Sequence, residues 1–187
     1  MTAAIILAAG ASTRMGSPKA LIPFRSSNFL GHLTTRLALH CSPVIVVAGA
    51  HPLPSSSAAR LVVNHHWSEG QLSSLQCGLR ALPAPVSSVL FTLVDHPNPA
   101  DRTITALLRS PRLVAVPVHE GRRGHPVFFQ ASLIPELLAL PPADSAKQVF
   151  SRHARDTEYI TVDDPAVTDD VDDPEALALF RQRTNHA

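Results

Sequence analysis

Two cations and two glycines crowd one short stretch near the N-terminus: Gly10, Arg14, Gly16 and Lys19, with the hydroxyls of Ser12 and Thr13 among them. Glycine lets the backbone approach a ligand closely, hydroxyls donate hydrogen bonds, and fixed positive charges grip phosphate oxygens. The combination suits a triphosphate. The stretch, LAAGASTRMGSPKALIPF from Leu7 to Phe24, follows the apolar run Ala3-Ala4-Ile5-Ile6 with no spacer, so a buried strand would empty directly into it. Its spacing is neither the Walker pattern GxxxxGK[ST] nor the dinucleotide fingerprint GxGxxG. The plainer alternative is ordinary α/β punctuation by a polar glycine loop.

Carboxylates supply the complementary chemistry. Asp95 stands at the end of the apolar run Val89 to Val94, in Val94-Asp95-His96-Pro97. An aspartate at a strand end, facing a triphosphate, is a natural inner-sphere ligand for Mg2+. His96 reads as a tolerated loop residue rather than a ligand. Near the C-terminus runs Asp169-Asp170-Val171-Asp172-Asp173-Pro174-Glu175. Residues two apart in an extended segment point the same way, so Asp170 and Asp172 can complete the coordination begun by Asp95. Asp173 and Glu175 read instead as part of a solvated loop, with Asp173 capping a last helix that begins at Pro174. Lys19, in a loop, is expected to bury little, so its loss should cost turnover rather than folding.

These residues need a scaffold that brings distant segments together. Short apolar, β-branched runs recur at Ala3–Leu7, Val44–Ala48, Leu61–Val63, Val86–Val94 and Leu113–Val118, and they read as strands buried on both faces. Amphipathic stretches of helical length lie between them, at Phe29–His40, Gln71–Leu82 and Arg102–Leu108. This alternation predicts a doubly wound α/β sheet, whose ligands bind at the carboxyl ends of the strands. After Val118 the order changes: a further strand at His125–Gln130, expected to run antiparallel, is followed at once by a helix from Ser132 to Leu140. The tail holds a strand at Tyr159–Val162, the acidic loop, and a helix from Pro174 to about Arg183.

At 187 residues the chain reads as one domain spanning 1–187. Its 45% apolar and 17% charged residues are globular in balance, and a formal charge of +1 gives no footprint for nucleic acid. The ten histidines are scattered without metal-ligand spacing. Cys41 and Cys77 fit reduced, buried thiols in a cytoplasmic protein better than a disulfide framework. No run approaches the roughly 20 apolar residues that span a bilayer, so no membrane association is expected.

The opening motif resembles the signature LAAGxSxRMGxPKxLxP of the MobA-like nucleotidyltransferases and matches it at nearly every fixed position. The resemblance implies a three-layer α/β/α Rossmann-like nucleotidyltransferase fold with a mostly parallel mixed sheet. It implies that Leu7, Ala8, Ala9 and Gly10 meet the base and phosphates with Ser12 beside them, Arg14 the triphosphate, and Lys19 the α-phosphate. Asn64 to Leu75 resembles the family segment NxxWxxGxxSSL, which places Gly70, Ser73 and Ser74 near the nucleotide; Trp67 within it reads as structural. Arg122-Arg123-Gly124-His125-Pro126 resembles the family's Gly-His-Pro segment, which places the acceptor at Gly124, His125 and Pro126, the alternative being a structural turn around a buried histidine. One departure stands out: Pro142-Ala143-Asp144-Ser145-Ala146-Lys147 replaces the relatives' GDxGAR and has lysine where arginine could grip phosphate with two parallel bonds. The implied activity is Mg2+-dependent transfer of a nucleotide monophosphate from an NTP to a phosphorylated acceptor, releasing pyrophosphate. LAAG and Gly-His-Pro are closer to the molybdenum cofactor cytidylyltransferases than to the guanylyltransferases, which favours CTP and molybdopterin cofactor and a molybdoenzyme or chaperone as partner. The alternatives are a guanylyl or sugar-phosphate nucleotidyltransferase, or a nucleotide-binding or cofactor-chaperone protein of this fold without turnover.

Overall fold

In the computed structural model, residues 1–83 and 85–185 are described. The chain runs through β1 (Thr2–Ala8), a small hairpin of β2 (Pro23–Phe24) and β3 (Ser27–Asn28), α1 (Phe29–Ala38), β4 (Val44–Ala48), β5 (Arg60–Val63), α2 (Gln71–Arg80), β6 (Ser88–Leu93) and α3 (Asp101–Leu108). It continues through β7 (Val114–His119), β8 (Arg122–Arg123), β9 (Val127–Gln130), α4 (Ile134–Ala139), α5 (Lys147–Arg152), β10 (Thr157–Thr161) and α6 (Pro174–Asn185). The main sheet has the order β10-β7-β9-β6-β1-β4-β5, with β8 paired to β7. Its pairs are parallel except those of β9 with β6 and β7, and of β8 with β7.

The strand period of two sorts β1 onto opposite faces, which explains the three layers. Ala4, Ile6 and Ala8 meet Leu33 and Leu37 of α1, Ile104 and Leu107 of α3 and Phe180 of α6. Ile5 and Leu7 meet Leu72, Leu75 and Leu79 of α2, Leu137 of α4 and Val149 of α5. A fully buried Leu, Ile or Phe contributes about 1.5–3 kcal/mol, so these two cores carry the fold. Gly78 sets how near α2 lies to the sheet, because a Cβ there would stand 2.8 Å from Ile5 Cγ2.

The strands fall where the apolar runs predict, and β9 is antiparallel as expected. The reversal is local: Glu120 and Gly121 both have positive φ, the requirement of a tight hairpin turn that matches strand twist. The pairing register then shifts between Val118↔Arg123 and Ala115↔Phe128, so Gly124-His125-Pro126 bulges out of the strand. Three features escape the sequence pattern. The β2–β3 hairpin and α5 are too short to show a period, and the helix expected over Ser132–Leu140 divides into a 3-10 turn (Ala131–Leu133) and α4. Cys41 is a buried free thiol, pushed up by burial to about 12, whereas Cys77 is only half-buried. No described helix is long and apolar enough to cross a membrane.

Candidate active site

A cavity of about 400 Å³ opens over the carboxyl ends of β6, β1, β4 and β5. Its floor is the backbone that leaves β1, from Leu7 to Gly10, continuing through Ser12, Thr13 and Arg14 to Lys19. The loop is held by its own polar atoms. Ser12 has φ +53 and Gly16 φ +68, the Ser12 carbonyl accepts from Met15 N at 3.0 Å, and the Ser12 hydroxyl accepts from Lys19 N at 3.2 Å. Gly16 takes up its left-handed conformation without the strain that a side chain would bring. Gly10 is not: it has no positive φ, and a Cβ there would meet no atom within 4 Å.

One end of the cavity is built from opposed charges. Lys19 Nζ lies 2.9 Å from Asp95 Oδ2 and also pairs with Asp172 Oδ1, while Arg14 Nη2 pairs with Asp172 Oδ2. The Lys19 side chain is 11% exposed, so the expectation of a solvated loop lysine is overturned. A 3-10 turn at Lys19–Leu21 folds the chain back and sinks the ammonium between two carboxylates. Burial alone would lower the lysine's pKa, but the Asp95 and Asp172 charges outweigh it and hold it above its ordinary value. Burial would raise Asp172, but Lys19 and Arg14 outweigh it and hold that carboxyl below the ordinary range.

Asp170 joins this group from the exposed side. One carboxylate oxygen of each of Asp95, Asp170 and Asp172 lies within 4.8 Å of the others, the gathering that the sequence predicted. Burial, then the Asp95 and Asp172 charges, push Asp170 above the ordinary range. Asp95 Oδ1 is buried with no hydrogen-bond partner. Three hard oxygen donors, one with an unanswered lone pair, fit a hard divalent cation.

The two acidic segments are tied together by groups that the sequence did not single out. Val171 N donates to the Asp95 carbonyl at 3.1 Å. The buried Asp164 carboxylate accepts from Ala100 N at 2.8 Å, Thr103 Oγ1 at 2.7 Å and Ala166 N at 3.2 Å, joining the loop after Asp95 to the loop before Asp170. Asp173 Oδ1 accepts from Ala176 N at 2.9 Å, the cap expected for α6. Phe29 packs edge to face on both Phe24 and Phe180, which are tilted at 50° to each other, with centroids 5.1–5.8 Å apart, fastening α6 to the β2–β3 hairpin beside the opening loop.

The other end is neutral. Gly70, with φ +128, precedes α2 and lines the wall with Gln71 and Ser74. Ser73 does not reach the cavity: its hydroxyl lies 2.8 Å from the Gly70 carbonyl and accepts from Asn64 Nδ2 at 2.9 Å. Helical geometry turns it inward, where it locks the start of α2; Ser74, whose hydroxyl also accepts from Asn64 Nδ2 at 3.0 Å, is the one of the pair that lines the cavity. Trp67, read as structural, packs as expected but also borders the site. It lines the cavity, and a Cβ on Gly49 would stand 2.7 Å from its own Cβ. His51 and Leu53 complete this end and were missed; both follow the apolar run Val44–Ala48, so the strand-end rule pointed to them.

The Gly124-His125-Pro126 segment lies apart from this wall. A Cβ on Gly124 would stand 2.0 Å from the Val167 carbonyl oxygen, and His125 N donates to that oxygen at 2.8 Å. Gly124 therefore serves close packing of two backbones, not the approach of a flat ligand, and Gly124 and Pro126 are buried. The His125 ring packs on Phe91 at 5.3 Å and on His96 at 4.9 Å. Burial, then the neighbouring His96, push His125 down to about 3. His96 lies in the loop after β6 as expected, but it is buried there, with Nε2 3.9 Å from Asp95 Oδ1. Phe91 also lines a second cavity of about 130 Å³ with Gln71, Asp144, Ser145 and Ala146, the last three from the departure segment, and Leu7 and Gln71 line both this cavity and the main one.

Comparison with known proteins places this geometry. Residues 4–157 match the family model described as MobA-like NTP transferase domain. The chain is 32% identical to nicotine blue oxidoreductase of Paenarthrobacter nicotinovorans over 92% of its own length and 93% of that protein. It is 23% identical to the molybdenum cofactor cytidylyltransferase of Escherichia coli over 96% and 95% of the two chains. A nucleotidyl transferase of Methanothermobacter superposes with a TM-score of 0.82 at 18% identity, over 98% of this chain and 97% of that one, and shares the fold. Motif, sheet order and family match agree, and the chain belongs to the MobA-like NTP transferase family.

Proposed function

We propose that the protein transfers a nucleotide monophosphate from an NTP, with CTP favoured, to a phosphorylated small-molecule acceptor of the molybdopterin cofactor type, releasing pyrophosphate. The observation that supports this most directly is the charged end of the cavity, where two cations meet three carboxylates beside a backbone loop. Leu7 to Gly10, Ser12, Gly70 and Ser74 hold the nucleotide, and the N-terminus of α2 adds its amides and dipole. Arg14 and Lys19 exchange their carboxylate partners for phosphate oxygens. Lys19 then neutralises charge that develops on the α-phosphoryl group as it is transferred.

Asp95, Asp170 and Asp172 would hold Mg2+, which supplies further charge neutralisation on the triphosphate when bound. The acceptor approaches from the Phe91, Gln71, Asp144 and Ser145 side, so His125 supports it through Phe91 rather than by touching it. An oxygen of the acceptor phosphate forms the new bond to the α-phosphorus as the bond to the bridging oxygen of pyrophosphate breaks, without a covalent enzyme intermediate. The cytidylyltransferase relative supports the choice of base and acceptor.

A second reading rests on the 32%-identical relative, which is named as an oxidoreductase: the same cavity would then serve a redox reaction instead of nucleotidyl transfer. One experiment separates the two. The protein is incubated with each NTP, molybdopterin cofactor and Mg2+, and pyrophosphate is measured; in parallel, oxidation of NADH or NADPH is followed with an aromatic dye. Pyrophosphate release with CTP supports transfer. Tight NTP binding without release with any NTP marks a binder without turnover, and nicotinamide oxidation alone supports the second reading.

A further inference from the structure

We propose that His51 reads the base of the bound nucleotide as a fixed hydrogen-bond acceptor, selecting bases that carry an amino group rather than an oxo group at the pyrimidine 4-position or the purine 6-position. The inference rests on the nucleotide reading above and specifies its neutral end. The cavity crosses the strand ends in the order β6, β1, β4, β5, with Asp95, Asp172, Lys19 and Arg14 toward the β6 end. A triphosphate seated on those charges directs its nucleoside toward the β4–β5 end. That end is walled by His51, Leu53, Trp67 and Gly70, an apolar surface with an aromatic plane and one imidazole.

The imidazole's hydrogen-bonding sense is set by its partner. His51 Nε2 lies 2.9 Å from the carbonyl oxygen of Ala11, in the opening loop. A carbonyl only accepts, so in the neutral ring the proton sits on Nε2, and Nδ1 carries a lone pair. Nδ1 has no hydrogen-bond partner among the described residues and is not buried, and the residue that carries it lines the cavity. The same bond fixes the ring against the loop that cradles the phosphates, so little side-chain freedom remains to be lost on binding.

A fixed acceptor discriminates by what the base offers. The 4-amino group of cytosine and the 6-amino group of adenine donate to Nδ1. The O4 of uracil and the O6 of guanine oppose one acceptor with another and leave both unsatisfied. A site built to pair with a donor rejects the analogue that lacks it far more strongly than an apolar pocket rejects a change of size. His51 is a specificity residue in this scheme and takes no part in the transfer.

The test is calorimetric binding of CTP, UTP, ATP and GTP with Mg2+ at pH 8, where imidazole is ordinarily neutral. The wild-type protein is expected to bind CTP about tenfold or more tighter than UTP, and ATP tighter than GTP. In His51→Ala the CTP to UTP ratio should fall to within about threefold, with CTP losing most of the difference. A second measurement needs no variant: a cytidine triphosphate analogue with hydrogen in place of the 4-amino group should bind the wild-type protein no better than UTP. Equal binding of amino and oxo bases, undiminished discrimination in His51→Ala, or full affinity for the analogue overturns the inference. Amino-dependent binding that favours ATP over CTP upholds His51 while removing the cytidylyl choice, and failure to bind any NTP removes both.

Discussion

Replacing Lys19 with methionine tests the charged end of the site through folding as well as catalysis. The ammonium makes charge-assisted hydrogen bonds to Asp95 and Asp172, and its side chain is 11% exposed against 17% and 24% for theirs. Such bonds contribute about 1.5–3 kcal/mol each, and burying an apolar methionine side chain in place of the ammonium returns about 2 kcal/mol. The net loss of stability is then roughly 1–4 kcal/mol, or several degrees of Tm for a chain of this size. The variant leaves the Asp95, Asp170 and Asp172 oxygens, which lie within 4.8 Å of one another, without their central cation. Divalent metal should replace it, so Mg2+ is expected to raise the urea midpoint of Lys19→Met more than that of the wild type.

The pH dependence has a defined sign. Asp172 lies below the ordinary carboxylate range, so its stabilisation is present above that range and is lost as pH falls through its folded value. Lys19 lies above the ordinary lysine range, so its stabilisation is present below that range and is lost as pH rises past its folded value. The gap between wild type and Lys19→Met should therefore be widest between about pH 4 and 10. The assay is urea unfolding across pH, with and without Mg2+. A variant as stable as the wild type at pH 7, with no added response to Mg2+, would refute the view of Lys19 as the resident counter-ion of the site.

Asp95→Asn should weaken Mg2+ binding at least tenfold in calorimetry while leaving Tm within a few degrees, and an unchanged metal titration removes Asp95 from the site. Gly124→Ala drives a Cβ to 2.0 Å from a backbone oxygen that cannot move aside cheaply, so a loss of about 2 kcal/mol or more is expected in urea unfolding, together with weaker metal binding as the Val167 to Asp172 loop shifts. Asp164→Asn removes the charge that answers three donors; its signature should be a raised metal Kd with little change in the affinity for metal-free nucleotide, and parallel changes in both would make it merely structural. His125 folds with its ring held down to about 3, so an unfolded chain takes up that proton first as pH falls below about 6.5. Stability should drop by up to about 1.4 kcal/mol per pH unit there, and His125→Phe should flatten that slope.

Local patterns carried much of this protein. A strand buried on both faces is a run of apolar β-branched residues whatever its neighbours, so β1, β4, β6 and β7 were legible from composition over a few positions. The opening motif was legible because its function is backbone and charge spaced along one continuous loop, and Asp173 because a cap acts within a single turn. What a side chain does across the fold had no such signature. Lys19 looked solvated until the structure placed Asp95 and Asp172 around it, and those partners stand 76 and 153 residues away. Gly124 looked like room for a ligand, but only the packing of the Val167 carbonyl against it revealed a contact between two backbones. Ser73 and Ser74 are neighbours in sequence, yet a helix turns successive residues by about 100°, and the docking of α2 on the sheet decided which one faces the cavity. The residues that could bind a nucleotide were therefore written along the chain, whereas burial, partner and direction, which depend on contacts between distant segments, were settled only by the tertiary fold.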